Sequence, residues 1–387
     1  LDKSSKKIDG NSMNIIIGAD LVPTKSNIEL FEKGDVNTLL GNDLIDIIHS
    51  ADYRIFNLEI PLVNESSPIK KCGPNLIAST KCVSAYKAMK VDLLTLANNH
   101  ILDQGKKGLE SSISTLKEAG ISYIGVGDSI KEASRPQIMD CDGKRIGIYA
   151  CVEHEFTVAA EYESGANPID LLETPDHIVE LKKQCDYVIV LYHGGKEQYR
   201  YPSPNLQKTC RKLVEKGADL VVCQHSHCIG CKEEYKQGTI VYGQGNFLFD
   251  DEENEYWQTS LLIMLSDNFE VKYIPLKKNG NTVRLAKGDE AENILEQFKL
   301  RSEEILDPQK VYQHYDELAT YYKNYYLLSV MKIKRGLLYR IINKLSKGLL
   351  EKTIINSAYN SIYRYTLRNY VECEAHSELL LHILKRQ

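Results

Sequence analysis

The sequence predicts an α/β protein with a helical C-terminal region, on three observations. Short apolar runs of β-type residues alternate with stretches of helical periodicity from Asn14 to Cys223. Several of those runs end on oxygen or imidazole donors: Asp20, Glu59, Asn99 with His100, His193, and His225 with His227. Side chains at strand ends converge on one edge of a sheet, where α/β proteins build their sites. From about Asp289 the texture turns to long helical patterns rich in Tyr, Leu and Lys.

Asn14–Ile17 reads as the first strand and ends at Gly18-Ala19-Asp20. A helix is expected over about Thr38–His49, with Leu39, Leu40, Leu44, Ile47 and Ile48 on one face. Tyr53–Leu58 is a strand delivering Glu59, and Pro61 stops the run. Lys81–Met89 reads as a helix, Asp92–Ala97 as a strand, and Gly108–Ala119 as a helix closed by Gly120. Ile121–Ile124, Gln137–Met139 and Arg145–Cys151 are further strands. A second series follows: helix Pro175–Gln184, strand Tyr187–Tyr192, helix Ser203–Lys216 and strand Leu220–Cys223. Runs near Thr239–Tyr242, Thr259–Leu265 and Glu270–Pro275 add antiparallel edges.

The 387 residues allow a large core and more than one unit. We divide them into a polar tail or tag remnant (1–12), an α/β domain (13–288) and a helical region (289–387). A formal net charge of −5 carries no nucleic-acid signature. The ten cysteines lack a disulfide-scaffold spacing, and no secretory apolar segment is visible, so reduced thiols and a cytoplasmic setting are expected. Because the chain opens at Leu1, an anchor upstream stays open. Asn324–Lys352 carries Lys332, Lys334, Arg335, Arg340, Lys344 and Lys347 among Leu and Ile. Such a stretch is either the solvated face of a packed helix or a peripheral contact with an anionic membrane.

His225 and His227 stand two residues apart, which in extended chain points both rings the same way, toward one metal or two adjacent ones. A pair of polar loop histidines has the same spacing, but His193 at the end of the preceding strand favours the metal. Asp20 follows a glycine that would let backbone approach a bound group, though a turn Asp reads equally well. Glu59 is embedded in an apolar run, where an unpaired carboxylate is costly; a salt bridge or a bridge between two cations would satisfy it. Asn99 offers a weak amide ligand, His100 can protonate a leaving group, and Asp103 can orient that ring; Asn98-Asn99 as a helix cap is the plainer reading. Lys71 and Lys196 are candidate anion binders, Glu197 a second base or amine grip, and Asn246 a lining or turn residue. Cys223, His225, His227, Cys228 and Cys231 also spell a structural zinc, weakened because no second CxxC pair exists.

The strings Gly18-Ala19-Asp20, Asn57-Leu58-Glu59-Ile60-Pro61-Leu62, Leu96–Gly105, His193-Gly194-Gly195-Lys196-Glu197, Gly217-Ala218-Asp219 with His225-Ser226-His227, and Tyr242–Phe247 fall in order along the chain. In them the chain resembles the CapA proteins of capsule and poly-γ-glutamate synthesis, relatives of the calcineurin-like metallophosphoesterases. The resemblance implies a four-layer αββα sandwich with the site at the edge of its two sheets. It implies one metal on Asp20, Glu59 and His227, and a second on Glu59, Asn99, His193 and His225, with Glu59 bridging and His100 as general acid. The expected cofactor is one or two divalent ions, Mn, Fe or Zn. Two departures stand out: Val22 occupies the position where those enzymes carry a histidine, and Glu59 replaces their bridging Asp.

These readings converge on a metal-dependent hydrolase-like protein of bacterial surface-polymer synthesis, cleaving a phosphoester with metal-bound hydroxide. The expected partners are an anionic small molecule or polymer and other capsule-synthesis proteins, without nucleic acid. The competing reading is a non-catalytic, metal-containing assembly factor for a polymer synthase.

Overall fold

The computed structural model describes residues 13–141, 143–330, 336–359 and 361–385. The tail Leu1–Ser12 and the basic Lys332, Lys334 and Arg335 lie outside them. The strands in chain order are β1 (Asn14–Leu21), β2 (Tyr53–Asn57), β3 (Leu93–Thr95), β4 (Ser122–Ile124), β5 (Val126–Gly127), β6 (Gln137–Cys141), β7 (Lys144–Val152) and β8 (Gly165–Ala166). They continue with β9 (Tyr187–His193), β10 (Leu220–Gln224), β11 (Lys232–Tyr235), β12 (Gly238–Val241), β13 (Asn246–Leu248), β14 (Thr259–Ser266), β15 (Val271–Asn279) and β16 (Thr282–Leu285).

One sheet runs β16-β15-β14-β1-β2-β3-β4, parallel from β1 to β4 and antiparallel from β1 out to β16. The other runs β11-β12-β10-β9-β7-β6, a parallel centre with antiparallel edges. β5 and β8 form a small antiparallel pair. The two-residue period of β7 and β9 assigns the layers. Ile146, Ile148, Ala150, Val152, Ile189 and Leu191 share a core with the first sheet. The alternate Tyr149, Cys151, Val188, Val190 and Tyr192 pack with Ile178 and Leu181 of helix Thr174–Lys182 and with Cys210, Leu213 and Val214 of helix Pro204–Glu215. Leu44 and Ile48 (helix Asn42–Ser50), Tyr86 (helix Val83–Ala88), and Leu109 and Leu116 (helix Gly105–Ala119) join the first sheet's core. The order is therefore helix, sheet, sheet, helix, as the resemblance implies.

Local differences from the sequence reading have local causes. The single helix expected over Thr38–His49 is two, Val36–Leu40 and Asn42–Ser50, because Gly41 sits at φ 78° and ψ 153°, outside helical space. Helix Ile28–Lys33 and strands β11, β13 and β16 were too short for a periodicity to register. The chain forms two compact units, dividing after Tyr312. Helix Gly288–Glu304, which the sequence reading placed in the helical region, belongs to the first: Ile294 and Phe298 enter the main core, and Ile305 and Val311 the second.

The second unit has its own small core of Leu328, Ile355 and Tyr359, where the Tyr359 hydroxyl donates to the Leu327 carbonyl at 2.7 Å. Among the described residues no helix is long and apolar enough to cross a membrane.

One strand switch sets up everything near the site. β1 pairs with β14 up to Ile17↔Ile263, then with β13 from Asp20↔Asn246. Backbone carbonyls at such a fork lose their ladder partners. The Gln244 side chain replaces them: Nε2 donates to Ile17 O at 2.9 Å and Leu261 O at 3.1 Å. Gln224, at the end of β10 in the other sheet, donates to Gly18 O at 3.2 Å and Gln244 Oε1 at 3.3 Å, so two buried amides lace the sheets together. Replacing Gln244 by Leu strands both carbonyls and is expected to lower stability by roughly 2 kcal/mol, measured by urea unfolding; an unchanged midpoint would refute the role.

Candidate metal centre

The register aligns the ends of the strands. In the first sheet Asp20 of β1 stands opposite Asn57 of β2 and Asn246 of β13. In the second, His193 of β9 stands between Val152 of β7 and Gln224 of β10. The loops just beyond deliver Glu59, Asn98 to His100, and His225 to His227 into one buried place, with the half-buried Glu153 beside it.

His193 is at its centre. Its Nε2 lies 3.0 Å from Asn99 Oδ1, 3.1 Å from His225 Nδ1 and 3.3 Å from Glu59 Oε1. Its Nδ1 is 3.2 Å from Asn57 Nδ2 and 4.0 Å from Asp20 Oδ1. His227 Nδ1 is 2.9 Å from Asn246 Oδ1 and 3.5 Å from Asp20 Oδ2. Two buried sets, Asp20–Glu59–His193 and Glu59–His225–His227, each place one donor atom per residue within 4.8 Å of the others, with Glu59 common to both; a third, less buried set, Glu153–Glu155–His225, shares His225.

These residues fit a divalent cation, and the observation is their unmet polarity. Asp20 Oδ2 and both Glu59 carboxylate oxygens are buried without any hydrogen-bond partner, which is rare and costly unless a cation compensates. Burial, followed by the charge of Asp20, pushes the Glu59 carboxyl well above the usual range. Burial, followed by His225 and His227, pushes His193 well down, toward the neutral form that ligates. Donors bonded to one ion at about 2.1 Å sit roughly 3.0–3.4 Å apart, which matches the spacing around His193 Nε2. Asp20, Glu59, Asn99, His193, His225 and His227 are thus brought together as a donor set suited to a divalent metal.

Beside them His100 Nδ1 is 2.6 Å from Asp103 Oδ2 and 3.3 Å from Lys71 Nζ. Lys71 also pairs with Asp103, and both side chains are out of solvent. Lys71, a candidate anion binder from the sequence, is held inside a His–Asp–Lys cluster. Asn246 lies on His227 rather than in a simple turn. Lys196 is half-buried, and its charge helps hold the Glu153 carboxyl down, although burial opposes this. Glu197 is exposed and reaches the centre only through its charge, felt at Glu59 and His225.

Three sequence expectations need correction. His225 and His227 do not meet through extended chain; both have positive φ, 79° and 55°, and the tight turn sets their rings 5.9 Å apart. Gly18 does not leave room for a ligand: a Cβ there would lie 2.1 Å from the Phe56 ring, so the glycine exists for packing. The CxxC pair joins no metal-capable cluster among the described residues; Cys228 and Cys231 are buried thiols, and burial raises the pKa of each. Val22 is buried, and its N–H donates to Leu248 O at 2.6 Å, prolonging the β1–β13 pairing without offering a ligand.

Sequence reasoning missed the residues that hold the donors. Asn57 donates to Asp20 Oδ1 at 2.8 Å and accepts from Thr95 Oγ1 at 3.1 Å and Asn98 Nδ2 at 3.2 Å. Lys278 Nζ donates to the carbonyls of Asn246 at 3.0 Å and Phe247 at 2.5 Å, and burial brings its pKa down to about 7. Glu153 meets His225 Nε2 at 3.2 Å. Asn57 ends β2 and Glu153 directly follows β7, so the strand-end rule that found the other donors applied to both. Trp257 and Phe249 flank His227, with ring centroids 4.9 and 5.5 Å away.

Comparison with known proteins agrees with this picture at the level of family. The family model described as "Bacterial capsule synthesis protein PGA_cap" matches residues 15–251. The chain is 32% identical over 212 residues to the capsule biosynthesis protein CapA of Bacillus anthracis, covering 52% of each chain. It is 28% identical over 239 residues to the PGA biosynthesis protein CapA of Bacillus subtilis (strain 168), covering 60% of each. It thus spans between half and three fifths of the length of these relatives. Among solved structures, a novel phosphatase of Mycoplasma pneumoniae aligns at TM-score 0.43 and 14% identity, over 70% of this chain and 95% of that one. A putative 5'-nucleotidase of Staphylococcus aureus aligns at TM-score 0.42 and 15% identity, over 74% and 58%. With its motifs and donor set inside the matched segment, the chain belongs to the PGA_cap family of bacterial capsule synthesis proteins.

Proposed function

We propose that the protein is a metal-dependent phosphoester hydrolase acting in bacterial surface-polymer synthesis. The observation that carries this reading is the pair of buried carboxylates, Asp20 and Glu59, with three of their four oxygens lacking a hydrogen bond, facing three imidazoles beside the His100–Asp103 pair. A divalent ion held there supplies Lewis acidity toward a phosphoryl oxygen and acidifies the attacking water. Asp20, Glu59, Asn99, His193, His225 and His227 bind the ion or ions, and Asn57 keeps Asp20 and His193 aligned. With its Nδ1 committed to Asp103, His100 has Nε2 left to protonate the leaving oxygen. Lys196 attracts the anionic substrate, and Glu197 at the rim selects against a second negative group nearby. Val22 supplies no ligand, so of two ions the one nearer Asp20 would be the more weakly held.

Elemental analysis of protein purified without added metal is expected to give between one and two equivalents of Mn, Fe or Zn. His193→Ala and the double variant His225→Ala/His227→Ala should lose them. Turnover of a generic aryl phosphoester should depend on that metal and fall by about 10²–10⁴-fold in His100→Ala. Metal binding without turnover in the parent would instead support the non-catalytic assembly factor.

A second reading concerns attachment, and one helix favours it. In Leu337–Leu345 the polar side is turned inward, Tyr339 Oη and Asn343 Nδ2 meeting Glu351 Oε2 at 2.9 and 3.3 Å. The aliphatic side is outward: Leu337 is 77% exposed, Leu338 71% and Leu345 78%. Exposed Lys344 and Lys347 border it. An aliphatic face with a cationic border matches an anionic lipid surface. Co-sedimentation with phosphatidylglycerol vesicles, absent with phosphatidylcholine vesicles and lost in Leu338→Glu/Leu345→Glu, is the expected result; equal pelleting of parent and variant would refute it.

A further inference from the structure

Glu153 lies outside the short strings in which the chain resembles the CapA proteins, yet it is fixed at three points beside the centre. Its backbone N–H donates to His193 O at 3.0 Å. Its Oε2 accepts from Gly195 N at 3.0 Å. Its Oε1 lies 3.2 Å from His225 Nε2. The carboxylate thus spans the ends of β7 and β9 and reaches the histidine that follows β10.

Neutral imidazole has one donor and one acceptor nitrogen, and a carboxylate only accepts. A hydrogen bond to Glu153 therefore puts the ring proton of His225 on Nε2 and the lone pair on Nδ1. Nδ1 is the nitrogen that lies 3.1 Å from His193 Nε2, inside the donor cluster with Asn99 and Glu59. The backbone alone does not secure this ring: His225 sits at φ 79°, a region a non-glycine residue occupies only when its surroundings hold it there. Glu153 meets the ring on Nε2, the nitrogen other than the one that faces His193, so its influence on the Glu59-containing donor sets runs through His225.

We infer that Glu153 is a positioning residue that fixes His225 as the Nε2–H tautomer, leaving Nδ1 as the nitrogen that ligates the cation. The inference rests on the metal-centre reading, not on the phosphoesterase one. Carboxylates placed behind ligating histidines typically raise metal affinity by about 10–100-fold.

The test is zinc affinity of the full chain by chelator competition, with nitrogen-15 NMR of the His225 ring in the zinc-loaded parent. Glu153→Ala is expected to weaken zinc binding by about 10–100-fold. Glu153→Gln, whose amide oxygen accepts the same hydrogen bond, should stay within a few-fold of the parent. The parent spectrum should show Nε2 protonated and Nδ1 metal-shifted, and this arm stands even if Glu153→Ala does not fold. Parent-like affinity in Glu153→Ala, zinc on Nε2, or a Glu153→Gln as weak as Glu153→Ala would each overturn the positioning role, the last indicating direct ligation. A parent that binds no zinc overturns the centre and this inference together. A parent that binds zinc but turns over no phosphoester overturns only the hydrolase reading.

Discussion

The constraint on which the structure turns is the burial of two carboxylates whose oxygens the protein's own hydrogen bonds leave mostly unmet. Asp20 and Glu59 are fully out of solvent, and three of their four oxygens lack a hydrogen bond. A chain that only had to fold would replace such groups by apolar ones, often with a gain in stability. Their retention, with imidazoles rather than ammonium or guanidinium groups around them, describes a place for a divalent cation. Strand register, amide clamps and the turn at His225 all act to hold these donors at ligating distance.

The support is almost wholly amide chemistry. Asn57 ties Asp20, His193, Thr95 and Asn98 together, Asn98 in turn donates to the Leu58 carbonyl, and Gln224 with Gln244 mends the fork where β1 changes partners. Amides carry no charge to desolvate, so they can be buried next to carboxylates and imidazoles at modest cost. Each offers a donor and an acceptor, and one side chain can therefore fix two donors of the site at once. Around the donors charge enters at three points: Lys71 and Asp103 at His100, Glu153 at His225, and Lys278 behind Asn246.

Much of the fold was legible because its signals are local. Apolar runs marked β1, β2, β9 and β10, and the alternation with helices marked the α/β class. The donors were legible for the same reason, since they stand at the ends of those runs. What stayed hidden depended on partners distant in sequence. Asn57 and Glu153 are ordinary polar residues until the register places them beside Asp20 and His193. Lys71 resembles any surface lysine until Asp103, far along the chain, encloses it. Helix Gly288–Glu304 reads like the tail that follows it; only its packing on the first unit's cores assigns it there.

The sequence by itself determined the α/β class and the family motifs, and pointed to six candidate donors, because these follow from residue type and short-range period. Tertiary structure alone decided which donor atoms come within reach of one another, which nitrogen of His225 lies against His193, and that Gly18 makes way for Phe56 rather than for a ligand. Those outcomes are set by strand register and by backbone turns at positive φ. They bring together residues more than a hundred positions apart, and no local pattern of side chains encodes their mutual distance.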